Sequence, residues 1–146
     1  MKLSRTVAYA LQATLQLAES ESTDPIPCSR LASQGKMPER FLLQILRNLV
    51  AHGILQSTRG VDGGYTLDRT PEDISLLEVI EAIDGPVKST LPVAEGLSAD
   101  SKVKLQTALT EITDTSRREL EAITLAHLLP EPGEPQPAAD QPSGNQ

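Results

Sequence analysis

Residues 59–65 form the sequence Arg-Gly-Val-Asp-Gly-Gly-Tyr, a glycine-rich stretch between two short segments that favour β-structure. These segments are 54–58 (Ile-Leu-Gln-Ser-Thr) and 64–67 (Gly-Tyr-Thr-Leu). Glycine allows the positive φ values that tight turns between strands require, so the pattern predicts a β-hairpin. Arg59 and Tyr65 are expected to project from the two ends of its turn.

Three helical segments precede the predicted hairpin. Apolar residues recur at helical spacing over 3–20, and a short second helix is expected over 28–34, with Gly35 in the left-handed conformation at its end. A third helix should begin with Pro38 at its first position and close at Gly53. A short helix, a tight turn, a long helix and a hairpin together are typical of a winged helix-turn-helix domain.

The third predicted helix has one apolar and one polar side. The residues expected to pack against the first two helices are Phe41, Leu42, Ile45, Leu46, Leu49 and Val50. Arg40, Gln44 and Arg47 follow at i, i+4 and i+7, so their side chains form one row on the opposite side. Arginine pairs with guanine and glutamine with adenine in the major groove, while Arg59 could enter a minor groove. The alternative is a polar helix face that only contacts solvent.

Charge is distributed unevenly along the 146 residues, whose net charge is −7. Residues 1–60 hold seven Lys and Arg against four Asp and Glu, a balance of +3, so the remainder carries −10. The N-terminal part is therefore expected to face a polyanion. The candidate DNA-binding residues are Lys2, Arg5, Lys36, Arg40, Gln44, Arg47, Arg59, Gly60, Gly63, Gly64 and Tyr65.

Further helices are predicted after the hairpin. Ser75 and Glu78 form a capping box that should start a helix over 76–84, which Gly85-Pro86 ends, and 87–97 is expected to be a linker. A long helix over 98–129 follows, with a heptad-like seam of Leu105, Leu109, Ile112, Ser116, Leu120, Ile123 and His127.

The seam predicts a homodimer in which the long helix packs against its copy; the alternative is a helix that folds back on its own domain. The expected class is thus mainly α: a winged helix-turn-helix domain over 1–86 with a two-stranded β wing, then a linker and dimerisation helix over 87–129. Residues 130–146 contain five prolines and no large apolar residue after Pro130, so a disordered tail is expected.

The chain resembles the Rrf2 family of transcriptional regulators over residues 1–86. The matching stretches are Met1-Lys-Leu-Ser4, Tyr9-Ala-Leu11, Pro38 through Leu46, Gly53-Ile-Leu55, Arg59-Gly-x-x-Gly-Gly-Tyr-x-Leu67 and Ile74 through Pro86. The resemblance implies a dimeric bacterial repressor or activator that binds promoter DNA. It also implies that the third helix occupies the major groove and the wing the minor groove.

Two departures from the family pattern affect the expected mechanism. Many relatives hold an iron-sulfur cluster on three cysteines after the fourth helix, yet 87–108 contains neither Cys nor His, and serine hydroxyls are poor substitutes for thiolates. A cluster-free member without a cofactor is therefore expected. The second departure is Leu43, where the family often has Glu; it could touch a thymine methyl group.

Other function classes have little support in the sequence. The two histidines, His52 and His127, form no local catalytic or metal-binding motif, so an enzyme is not expected. The absence of a long apolar run argues against secretion and membrane insertion, and a single cysteine fits a cytoplasmic protein. The competing function is a protein-interaction module that descends from such a regulator and has lost DNA binding.

The sequence leaves the regulatory signal open between a partner protein and a small molecule. Cys28 lies near the start of the second helix, where the helix dipole could lower its pKa and allow a redox switch. The alternative is a small, partly buried side chain without reactivity.

Overall fold

Within residues 1–131, three α-helices and a hairpin come first, and three more α-helices follow. The structure is a computed structural model that describes residues 1–131. The elements are α1 (Arg5–Glu19), α2 (Cys28–Gly35), α3 (Glu39–Ala51), β1 (Leu55–Thr58), β2 (Gly64–Leu67), a 3₁₀ turn (Pro71–Asp73), α4 (Leu76–Asp84), α5 (Ala99–Ala122) and α6 (Leu125–Leu128). The mainly α fold with a two-stranded wing and a long C-terminal helix is confirmed. The predicted unit boundaries stay predictions, and the predicted tail lies outside the described residues from 132 onward.

Helix α1 is the central support of the N-terminal part. It begins at Arg5 because the Ser4 hydroxyl accepts a hydrogen bond from the Val7 amide, with 3.1 Å between oxygen and nitrogen. Its buried face consists of Val7, Ala10, Ala13, Thr14 and Leu17. Helices α2, α3, α4 and α6 and strand β2 of the hairpin all pack against α1.

The turn between α2 and α3 differs from the prediction. Gly35 is the last residue of α2, and Lys36 takes the left-handed conformation with φ of 53°. A Cβ atom on Gly35 would lie 2.6 Å from the Gln12 Nε2 atom, whose amide donates to the Gly35 carbonyl. An added Cβ would therefore displace the end of the Gln12 side chain and its hydrogen bond to the Gly35 carbonyl, and the left-handed cap is the next residue, Lys36. Pro38, expected as the first helical residue, is the N-cap of α3.

The apolar side of α3 also differs in one residue. Leu42, Ile45, Leu46 and Leu49 are buried as predicted, whereas Phe41, expected in the core, is 68% exposed. Successive residues in a helix are about 100° apart, so Phe41 lies halfway round from the buried centre towards the row of Arg40 and Gln44. The apolar arc of the helix is narrower than the sequence suggested.

The hairpin pairs Leu55 with Leu67 and Thr58 with Gly64 in an antiparallel register. Its second strand has a further partner, because Ile26 and Tyr65 exchange backbone hydrogen bonds of 3.0 and 2.9 Å between nitrogen and oxygen. This bridge fastens the wing to the segment just before α2. Tyr65 is half-buried against the main apolar cluster, so the expectation that it projects from the turn is wrong.

The capping box of Ser75 and Glu78 is confirmed at the start of α4. The helix predicted over 98–129 instead ends at Ala122 and a four-residue α6 follows. The break arises because the Leu76 amide donates to the Ile123 carbonyl at 2.8 Å and the Leu125 amide to the Ile74 carbonyl at 2.9 Å. These bonds turn the chain inward and place Leu125, which is 0% exposed, in the main core.

Replacing Lys36 with glycine is expected to stabilise the fold by about 1 kcal/mol, because glycine adopts the left-handed conformation without the steric cost that a side chain adds. Chemical denaturation monitored by circular dichroism measures this change. Gly53→Ala is the matched control: φ there is +73° and no atom lies within 4 Å of an added Cβ, so backbone strain alone should destabilise this variant. Equal stability of all three proteins would contradict the assignment of strain to residue 36.

Candidate nucleic-acid interface

The row predicted on α3 is present on the exposed side of the helix. Arg40, Gln44 and Arg47 are all exposed, opposite the buried leucines. The Gln44 Nε2 atom donates to the Asn48 Oδ1 atom at 3.3 Å, which places the Asn48 amide on the same surface. Asparagine, like glutamine, can pair with adenine. Asn48 was missed in the sequence, although its position one turn after Gln44 was a usable signal.

Within residues 1–131 the candidate basic residues form no ion pairs with acidic side chains. Ion pairs within residues 1–131 join Arg69 to Glu78, Lys104 to Asp100 and Arg117 to Glu81. In that part of the chain none of the candidate cations is ion-paired; these are Lys2, Arg5, Lys36, Arg40, Arg47 and Arg59, and all are exposed. Their charge is therefore available to phosphate groups, and such contacts supply most non-specific DNA affinity.

The candidate glycines shape the wing. A Cβ on Gly63 would lie 2.3 Å from the Thr58 carbonyl oxygen, and one on Gly64 would lie 2.4 Å from the carbonyl carbon of Ile26. Both conflicts involve backbone atoms, so neither position tolerates a side chain. Gly60 has φ of +113° and accepts a hydrogen bond from the Gly63 amide at 3.0 Å, which closes the turn. The exposed tip that results carries Arg59, and also Asp62.

Tyr65 lies at the base of the wing, where Cys28 of α2 and Arg47 of α3 both act on it electrostatically. Burial raises the pKa of its hydroxyl, the Cys28 thiol adds to this, and the positive charge of Arg47 opposes it. The three side chains are thus close enough to influence one another electrostatically. The Tyr65 hydroxyl stays protonated at neutral pH and remains a hydrogen-bond donor beside Arg47.

Lys2, Arg5 and Lys36 are not drawn together with the wing. The Ser4 hydroxyl donates to the Asp84 carboxylate at 3.2 Å, so the chain start, with Lys2 and Arg5, lies beside the end of α4. Lys36 lies in the turn between α2 and α3. Within residues 1–131, no side-chain hydrogen bond or ion pair links these three cations to α3 or to the wing.

Cys28 is a weaker acid than the sequence suggested. Its Sγ atom lies 3.8 Å from the Glu39 carbonyl oxygen, to which the thiol donates. Burial raises the pKa of the thiol, and the nearby charge of Glu39 raises it further. The expectation of a pKa lowered by the helix dipole is therefore wrong, because desolvation and a carboxylate outweigh the free amides of a short helix.

Cys28 should react with iodoacetamide more slowly in the folded protein at pH 7.5 than in the urea-unfolded chain, because the protonated thiol is favoured. The rate should rise as pH passes beyond the ordinary thiol range, and mass spectrometry follows the alkylation. A Cys28→Ser, Ser29→Cys double variant serves as control, since position 29 is exposed and should react at the unfolded-chain rate. Faster alkylation of Cys28 than of this control would contradict the raised pKa.

The residues after α4 do not fit an iron-sulfur cluster. The segment 87–98 offers Ser89, Thr90, Glu95 and Ser98 as its oxygen donors and has no thiol or imidazole. Within residues 1–131, no group of three or more His, Cys, Asp or Glu side chains is arranged to hold a metal ion. Iron-sulfur clusters bind through thiolates, and the one cysteine, Cys28, belongs to α2 and not to this segment.

Hydrogen bonds attach the start of this segment to α4 and α5 instead. The Glu81 Oε2 atom accepts from the Val87 amide at 3.0 Å and from the Arg117 Nη1 atom at 2.8 Å, and Arg117 also donates to the Val87 carbonyl at 3.1 Å. Further along, the Ser89 hydroxyl bonds to Thr113, and Gln106 donates to the Ser89 carbonyl at 3.3 Å. We call these five residues with Val87 the clasp. The hydrogen bond from Arg117 holds the pKa of Glu81 below its ordinary value.

An open cavity of about 530 Å³ lies between the end of α1 and the base of the wing. Its apolar wall includes Leu17, Ile26 and Tyr65. Arg69 also lines the cavity, but the Glu78 carboxylate lies 2.8 Å from its guanidinium and neutralises its charge.

Within residues 1–131, no helix has the length and apolarity needed to cross a bilayer.

Helix α3 buries one face, follows a tight turn after α2, and has the hairpin fixed beside it. This arrangement defines a winged helix-turn-helix protein. The Rrf2 family model, described as iron-dependent transcriptional regulator, matches residues 3–131. The chain belongs to the Rrf2 family of transcriptional regulators.

Individual relatives agree with this assignment. The chain is 36% identical over 96 residues to Rv1287 of Mycobacterium tuberculosis, which carries the name of an HTH-type transcriptional regulator; the match spans 66% of this chain and 60% of that protein. It is 30% identical to the regulator IscR of an Enterobacter species, over 88% of this chain and 80% of IscR. The solved structure of CymR, the global cysteine regulator of B. subtilis, superposes with a TM-score of 0.69 at 26% identity, over 88% of this chain and 95% of CymR.

Proposed function

We propose that this chain is a regulator that binds promoter DNA as a homodimer and works without an iron-sulfur cluster. The observation that carries the DNA-binding part is that Arg40 and Arg47 on α3 and Arg59 on the wing are exposed and form no ion pair within residues 1–131. Cations that form no ion pair with the acidic side chains of residues 1–131 are consistent with a surface that binds an anion.

In the proposed complex, α3 occupies the major groove with Arg40, Gln44, Arg47 and Asn48 towards the bases and phosphates. The wing then lies along the flanking backbone, so that Arg59 at its exposed tip meets a minor groove. The glycines and Tyr65 act by holding that tip in place. Lys2, Arg5 and Lys36 contribute as phosphate contacts.

The homodimer is proposed from the exposed part of α5. This helix has 24 residues, about 36 Å of length, but Leu120 is its one residue buried within the described chain. Leu105, Leu109 and Ile112 follow at i, i+4 and i+7, and Ile112 is 63% exposed. A second α5 would cover this stripe and present two copies of α3 to a palindromic site.

The absence of a cluster is proposed from the donor chemistry of 87–98 and from the clasp. The clasp holds the segment after α4 against α5 through protein hydrogen bonds, so the segment needs no bound group to fix its path. DNA binding is accordingly expected to be independent of iron.

The decisive experiment selects genomic fragments with the purified protein and then measures affinity for the enriched palindrome over a range of salt concentrations. Arg59→Ala should weaken binding by about 1 to 3 kcal/mol and lower the salt slope by about one, because one groove contact is lost. Arg118→Ala on α5 is the matched control, since it removes an exposed arginine outside the interface and should leave affinity unchanged.

The outcomes separate the elements of the proposal. Enrichment of no sequence would favour the interaction module that has lost DNA binding. Equal affinity of wild type and Arg59→Ala would remove the wing from the interface. Protein prepared anaerobically with iron and sulfide should show the same affinity as the untreated protein, and tighter binding after that treatment would contradict the cluster-free assignment.

Ile112→Glu is expected to convert the dimer to a monomer, because it buries a carboxylate in the apolar α5 contact. Sedimentation velocity should show a halved mass, and affinity for the palindrome should fall to that for an isolated half-site. Thr107→Glu adds the same charge to an exposed position on another face of α5 and should leave the dimer intact. A dimer that survives Ile112→Glu would place the contact elsewhere.

A further inference from the structure

Phe41 is a large apolar side chain left without a partner on α3. It is 68% exposed and packs with neither apolar cluster of residues 1–131. It is also the one phenylalanine in a chain with two tyrosines and no tryptophan. A single exposed apolar residue is common on protein surfaces, so the significance of Phe41 comes from its place beside Arg40 and Gln44 on the exposed side of α3.

The position of Phe41 within α3 indicates what it would contact. The helix begins at Glu39, so Phe41 is in its first turn, and Gln44 follows it at i+3 on the adjoining surface. Residues near the N-terminus of a recognition helix reach base edges in the major groove. A phenyl ring has no hydrogen-bonding group, and the apolar feature that bases present there is the C5 methyl group of thymine.

We propose that Phe41 is a specificity-determining residue that contacts a thymine methyl group in each half-site, an inference that rests on the proposed DNA binding. The geometry assigns this contact to Phe41 and not to Leu43. Leu43 lies on the other flank of the Arg40 and Gln44 row and is half-buried, which leaves less of it free to reach a base.

The polar row and Phe41 then act on different features of the site. Arg40, Gln44 and Asn48 form hydrogen bonds with groups of purines, while Phe41 favours the methylated pyrimidine at one step. Discrimination by the ring comes from burying one methyl group, so its size is about fourfold in affinity for each half-site. Replacing thymine with deoxyuridine removes the methyl group and leaves base pairing intact, so this replacement tests the Phe41 contact alone.

The experiment uses the full chain and the palindrome selected by the wild-type protein. Each thymine is replaced by deoxyuridine, at symmetric positions in both half-sites, and fluorescence anisotropy measures the dissociation constant. At one position the wild type should lose about fourfold per half-site, whereas Phe41→Ala should bind the thymine and deoxyuridine duplexes equally. Phe41→Ala should fold normally because its side chain is exposed, and an unchanged melting temperature verifies this.

Gln44→Ala is the matched control, because it removes the neighbouring side chain and should keep the full deoxyuridine effect. Equal deoxyuridine sensitivity of wild type and Phe41→Ala at every position would overturn the proposal, as would a selected palindrome whose half-sites respond at no thymine. Wild-type binding to the palindrome tests the DNA-binding proposal separately: if the palindrome is bound and the methyl groups do not matter, only the inference about Phe41 fails.

Discussion

Burial of one side of α3 determines which side chains of that helix are exposed to a binding partner. Leu42, Ile45, Leu46 and Leu49 are held between α1, α2, α4 and β1. Because a helix turns once every 3.6 residues, fixing this side also fixes which side chains face outward. Removing one buried leucine side chain costs about 2 to 5 kcal/mol, a large part of the 5 to 15 kcal/mol that stabilises a typical domain. The orientation of the polar row is therefore set by packing energy far larger than any single contact with DNA.

The wing depends on a second constraint, its attachment to the segment before α2. The bridge between Ile26 and Tyr65 satisfies backbone groups on the outer edge of β2, and Gly64 permits the approach because it has no side chain. A two-stranded hairpin alone is marginally stable in water. Paired with Ile26 and packed through Tyr65, the hairpin keeps a defined position relative to α3, and Arg59 can then be held at a fixed distance from the row on that helix.

The sequence predicted the order and type of the main elements, because helical periodicity, the capping box of Ser75 and Glu78 and the glycine-rich turn are local signals. It misplaced features that depend on distant partners. Gly35 was expected at the left-handed cap, which Lys36 occupies; the Gly35 carbonyl accepts a hydrogen bond from Gln12 on α1, a contact that the sequence does not show. The bond from Leu125 to Ile74 likewise ends α5 early, across about fifty residues.

The candidate site likewise combines features that local sequence predicts with features that depend on residues distant in the chain. The row of Arg40, Gln44 and Arg47 follows from spacing alone, whereas exposure of Phe41 depends on how wide an arc the other helices cover. The pKa of Cys28 could not be predicted from its place at a helix start, because Glu39 and the surrounding packing reverse the expected direction.

The clasp joins α4 to α5, the helix through which the proposed dimer forms. Its ion pair between Arg117 and Glu81 is partly exposed, and partly exposed pairs contribute little to stability, so its role is geometric more than energetic. Arg117 on α5 meets Glu81 on α4, and α4 itself packs against α1 and α3. Helix α4 thus contacts both α5 and the helix that carries the polar row. In the proposed homodimer joined through α5, this shared contact would help to set the separation of the two α3 helices, and with it the spacing of the half-sites.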